Sequence, residues 1–123
     1  MIKYLGGVIL GILCILSQGN AYWDGWVTYN GGSAANGATV EALGGSTPIP
    51  STTTDYYGYY NLNEQNGMVN GQWYDCVYAH QHPQWDAGHT YGGHCDGETY
   101  YSNQNVRKNI TLSYPPGYCD STK

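Results

Sequence analysis

The sequence predicts an exported all-β domain of short strands in two packed sheets, and three observations lead there. Beyond the N-terminal leader, no stretch repeats apolar side chains at helical spacing. Gly, Asn, Ser, Thr and Tyr dominate, and turn residues recur about every ten positions, the rhythm of sandwich strands. Cysteines remain after an apolar leader, as in proteins that fold in an oxidising compartment.

The leader comes first. Met1, Ile2 and Lys3 form a short positive start, and residues 4–16 are almost wholly apolar. Small residues follow at Gly19 and Ala21. That order is a secretory signal, removed after Ala21. The apolar run falls short of the roughly 20 residues that span a bilayer. Leu13 stands before Cys14, where a lipidated cysteine wants a small neighbour. The expectation is a signal over residues 1–21 and one domain over 22–123. The mature chain has no membrane span and is secreted, extracellular or held in the cell envelope.

Charge narrows the partners. The chain carries nine acidic and four basic side chains, net −5. A basic footprint for nucleic acid is missing, as is a polybasic stretch for anionic lipid. Fourteen Tyr and four Trp stand against no Phe. Such rings suit surfaces that are partly wet and partly packed, and Tyr is also a good strand residue.

The elements follow in order. Trp26-Val27-Thr28-Tyr29 reads as a strand, closed by Asn30-Gly31-Gly32. Ala38 to Leu43 alternates, with Ala38, Val40 and Ala42 on the buried face. Pro48 and Pro50 mark a loop or an edge, and 51–54 a polar edge strand. Asp55-Tyr56-Tyr57-Gly58 is a tight turn leading to a strand with Tyr60 and Leu62 inward. Residues 72–80 form the longest predicted strand, with Tyr74, Cys76 and Tyr78 inward because Asp75 is costly to bury. Residues 83–104, rich in Gly, His, Asp and Tyr, read as a long irregular His-rich loop. The last predicted strand is 106–114, with Ile110, Leu112 and Tyr114 inward.

Several of these segments resemble the carboxypeptidase regulatory-like family. They are Gly37-Ala38-Thr39-Val40-Glu41-Ala42, residues 53–62, residues 71–77 and Asn109-Ile110-Thr111-Leu112. The most specific is Thr54-Asp55-Tyr56-Tyr57-Gly58-Tyr59-Tyr60-Asn61-Leu62. The resemblance implies a seven-stranded immunoglobulin-like or prealbumin-like (transthyretin-like) sandwich. It also implies a non-catalytic role, since the peptidase of such enzymes is a separate module. The His-rich loop departs from the family pattern.

Four groups of residues are candidates for chemistry. His80, His82, His89 and His94 lie near Cys76 and Cys95, and imidazole and thiolate suit zinc or copper; the other reading is a polar loop and a disulfide. Cys76, Cys95 and Cys119 allow three single bridges and leave one thiol over. Trp23, Trp26, Trp73 and Trp85 with the Tyr excess could stack on carbohydrate, or pack in the core and at interfaces. Asn109-Ile110-Thr111 is a glycosylation sequon. Asp75, Asp86, Asp96 and Glu98 are the carboxylates that could pair for glycoside cleavage; nothing in the sequence sets two of them across a groove.

The expected function is therefore non-enzymatic and needs no cofactor. It is a structural or interaction module of the cell surface, self-associating into a filament or surface layer or meeting other surface proteins. The alternative is a ligand-binding module, for zinc or copper through the His-rich loop or for carbohydrate through Trp and Tyr.

Overall fold

The computed structural model describes residues 21–119, so most of the predicted leader and the last four residues lie outside it. Eight strands form: β1 (Trp23–Tyr29), β2 (Thr39–Leu43), β3 (Ser51–Thr53), β4 (Tyr59–Leu62), β5 (Cys76–Gln81), β6 (Tyr91–Asp96), β7 (Val106–Arg107) and β8 (Ile110–Leu112). Short 3-10 turns cover Glu64–Asn66 and Gln84–Asp86. Among the described residues no helix is long and apolar enough to cross a membrane.

Two four-stranded sheets result. In the first, β1 is central: β4 pairs with it antiparallel, and β7 and then β8 pair parallel on its other side. Trp23 lies opposite Val106 and Val27 opposite Ile110, so β7 and β8 continue one register. The second sheet runs β3-β2-β5-β6, all antiparallel. One core joins them. It takes Trp23, Val27, Leu62, Ile110 and Leu112 from the first sheet and Val40, Ala42, Val77 and Ala79 from the second. Ala38, Val40, Ala42, Tyr60 and Leu62 are buried, as their alternation predicts.

The sheets also meet along one edge. Gly92 of β6 and Ser113 exchange two backbone hydrogen bonds, of 3.1 and 3.0 Å. Lys108, in the gap between β7 and β8, turns inward. Its ammonium donates to the Asp96 carbonyl and to Glu98 Oε2, each at 2.9 Å, and lies 4.8 Å from the centre of the Trp23 ring.

Four predictions need correction. The strands number eight rather than seven, because the last predicted strand breaks at Lys108 and Asn109 and because β6 forms inside the predicted loop. Segment 83–104 is not irregular throughout: it contains β6, paired with β5 over all six residues. Gly92 and Gly93, within the predicted loop, serve close approach on a strand. A Cβ on Gly93 would stand 1.9 Å from the Thr111 carbonyl oxygen.

The faces of β5 were also reversed. Val77 and Ala79 enter the main core, while Cys76 and Tyr78 form a second small cluster with Leu43 and Cys119 on the outer face. The C-terminal segment covers that face, so both sides of β5 are buried and alternation vanishes. Tyr114, expected inward on a strand, lies beyond β8 and is half exposed.

The Gly93 contact yields a measurable cost. Gly93→Ala should destabilise the domain by about 3 kcal/mol in urea unfolding. Gly88→Ala, where an added Cβ meets nothing within 4 Å, should change stability by less than about 0.5 kcal/mol.

Candidate aromatic cleft

The four histidines are spread over separate partners. His80 Nε2 lies 3.3 Å from Glu41 Oε1, and its ring stacks on Tyr78. His82 Nε2 lies 3.3 Å from Thr90 Oγ1. His89 Nδ1 donates to Asp86 Oδ1 at 2.7 Å. His94 Nδ1 lies 3.4 Å from the Gly117 carbonyl. Among the described residues, no three His, Cys, Asp or Glu side chains gather where one metal ion could sit.

The cysteines resolve into one bridge and one thiol. Cys76 and Cys119 form a disulfide with Cα atoms 6.4 Å apart. Cys95 is free and half-buried. The register explains the choice. Cys95 sits opposite Val77, so it faces the main core, while Cys76 is on the other side of the sheet. Burial pushes the Cys95 thiol up to about 11.

The tryptophans do not share a platform. Trp23 is in the core. Trp26 is exposed on the outer face of the first sheet, tilted against Tyr59. Trp73 is exposed and donates its indole N–H to Asp75 Oδ1. Asn109 is exposed between β7 and β8, and its Oδ1 accepts the Trp26 backbone N–H at 2.9 Å.

Trp85 stands in a group of rings that runs from buried Tyr29 through half-buried Tyr91 to exposed Tyr114. The end of β1 supplies Tyr29, the 3-10 turn after Pro83 supplies Trp85, the start of β6 supplies Tyr91, and the chain beyond β8 supplies Tyr114. Trp85 contacts Tyr29 and Tyr91 edge-to-face at 5.4 and 5.1 Å between centroids. Tyr91 lies 5.6 Å from Tyr114, and His89 lies 4.5 Å from Tyr114. The rings border a cleft of about 340 Å³, whose walls also include Asn30 and Ser33. Trp85 and Tyr114 are 65% and 51% exposed, so both keep ring surface for a ligand.

Hydrogen bonds fix the rings from behind. Asp86 accepts from His89 on one oxygen and from the Tyr91 hydroxyl on the other, at 2.8 Å. Those two bonds hold the Asp86 carboxyl below the usual carboxylate range, and the bond to Asp86 raises the Tyr91 phenol. The Tyr29 hydroxyl donates to Gln81 Oε1 at 2.5 Å, and Gln81 Nε2 in turn donates to the Asn36 carbonyl.

A second hollow, of about 450 Å³, lies beside the disulfide between Asp75, Asp96, His94 and Tyr118. It offers one ring against two carboxylates and gives no stacking wall. Of the four candidate hydrolytic carboxylates, Asp86 and Glu98 are engaged by His89 and Lys108.

The sequence indicated Trp85 and the Tyr excess but missed Tyr29, Tyr91 and Tyr114 as a group. They come from three segments far apart in the chain, and only the fold brings them together. No protein-family model, curated protein or solved structure matches the chain.

The Cys95 environment can be checked chemically. The thiolate is the reactive form, and a thiol pushed up to about 11 stays protonated near neutral pH. Iodoacetamide should leave Cys95 unmodified in the folded protein and label it fully in denaturant, read by intact mass.

Proposed function

We propose that this chain is an exported, non-enzymatic recognition module on an immunoglobulin-like or prealbumin-like sandwich, and that it binds neutral carbohydrate in the aromatic cleft. The observation behind this reading is the wall of Tyr29, Trp85, Tyr91 and Tyr114 at one end of the two sheets, with polar groups around it. A sugar ring has apolar C–H faces and a polar rim. Aromatic faces take the first, and side chains such as Asn30 and Ser33 can take the second. Small-ligand sites combine an apolar lining with a few polar groups in this way, at about 300–1,000 Å³.

Charge supports a neutral ligand. Arg107 is paired with Asp24 and Lys108 with Glu98. An anionic sugar would find both described Lys and Arg side chains already paired.

The other sequence reading, self-association along strand edges, meets edges that are largely covered. Ser113, Gly117 and Lys108 bond the outer side of β6. Asp55 bonds Tyr59 at the edge of β4. The other edges, β3 and the β7–β8 side of the first sheet, consist of strands of two or three residues, and short edges are poor templates for pairing.

Calorimetric titration with cellotriose, maltotriose and triacetylchitotriose tests the reading. At least one should bind. Trp85→Ala should weaken it at least tenfold, about 1.4 kcal/mol, while Trp26→Ala on the outer face should leave it unchanged. No binding by any of the three, or equal binding by the Trp85 variant, would refute it.

A further inference from the structure

We infer that the Cys76–Cys119 disulfide is a redox-controlled strap that completes the cleft, so that the binding site is assembled only once the chain is oxidised. The inference rests on the carbohydrate reading for its consequence but on separate observations for its mechanism.

The segment after β8 has two jobs. Near its start, Tyr114 forms one wall of the cleft against His89 and Tyr91. Near its end, Cys119 is bonded to Cys76 on the outer face of the second sheet. Between them the chain rounds the edge at β6. The Gly92 carbonyl accepts from both Ser113 and Gly117, each at 3.0 Å. Tyr118 then stacks on Tyr78 at 5.7 Å.

Beyond the Ser113 bonds to Gly92, Tyr114 is held by ring contacts with His89 and Tyr91. Its ring is half exposed, and neither Tyr114 nor Tyr118 belongs to the main core. The fastenings around it are therefore surface hydrogen bonds, the ring contacts of Tyr114 and Tyr118, and the covalent bridge. Removing the bridge leaves residues 113–119 held by surface bonds that water can replace. The main core needs none of these residues, so the sheets should persist. Cys95 cannot take over the bridge, because it lies on the core face of β6 opposite Val77.

The chemistry is thiol–disulfide exchange. On oxidation, Cys76 and Cys119 each lose a proton and together two electrons to a disulfide oxidant, which leaves as a dithiol. A dithiol such as dithiothreitol reverses the step, forming its own cyclic disulfide as the S–S bond breaks. Inside a reducing cytosol the strap would be open; after export it would close.

Hydrogen exchange and titration together test this on the leaderless chain, with and without dithiothreitol, and on Cys76→Ser/Cys119→Ser. In the open forms, the amides of Ser113 and Gly117 should exchange at least tenfold faster while Val77 and Val27 stay protected. Binding of the best of cellotriose, maltotriose and triacetylchitotriose should weaken at least tenfold. In the oxidised protein, Tyr114→Ala should reproduce the loss of binding without speeding exchange at Gly117. Unchanged exchange on reduction would overturn the strap, as would global unfolding of the double variant, which would make the bridge a general stabiliser. Unchanged affinity with faster exchange would also overturn it, since the cleft would then not need the strap. If none of the three sugars binds the oxidised form, the carbohydrate reading fails, and the exchange result alone decides whether the strap exists.

Discussion

The position of β1 is the constraint on which the rest depends. The first strand of the domain is the middle of its sheet, with β4 on one side and β7 and β8 on the other. Its neighbours can approach only because Gly25 carries no side chain, since a Cβ there would stand 2.1 Å from the Lys108 carbonyl oxygen. That close pass is where the partner strand breaks and Lys108 turns inward over Trp23. Trp23 also meets Tyr74 and Tyr100 edge-to-face at 5.8 and 6.0 Å. One residue thus binds the start of β1 to the approach to β5 and to the chain after β6. A buried ammonium is tolerable because a carbonyl, a carboxylate and a ring face all receive it.

The same strand sets the cleft at its other end. Tyr29, the last residue of β1, is held by Gln81 at the end of β5. Tyr91 begins β6 directly opposite Gln81. Two wall residues of the cleft therefore sit on strands, one from each sheet, joined through Gln81, while Trp85 and Tyr114 come from the connections beyond them. The rigid half fixes the geometry and the exposed half supplies the surface. This division matches how recognition sites are built, with loops carried on a scaffold of strands.

Much of the fold was legible because its strands obey simple alternation. Val40, Ala42, Tyr60, Leu62, Ile110 and Leu112 are buried as their spacing says. Reading failed where a strand is covered on both sides or approached closely by backbone. On β5, Cys76 and Val77 are both buried, for different partners, and period two no longer tells inside from outside. On β6, Gly92 and Gly93 carry the signature of a turn while serving as the contact with Ser113 and Thr111. The disulfide needed the register of β5 with β6, which no cysteine spacing reveals. The histidines were close in sequence but diverge in space, since β5, the 3-10 turn region and β6 aim them at separate partners. Of the cleft, composition gave the type of residue and Trp85 one member; the grouping is long-range.

Mapping amide shifts by NMR during titration with whichever neutral trisaccharide binds is the most direct test of the cleft as the working surface. Shifts should concentrate at Tyr29, Trp85, Tyr91 and Tyr114 and at the backbone beside them, and fade across the outer face around Trp26 and Tyr59. A binding sugar whose shifts centre on Trp26 and Tyr59, with the cleft residues unmoved, would contradict the account.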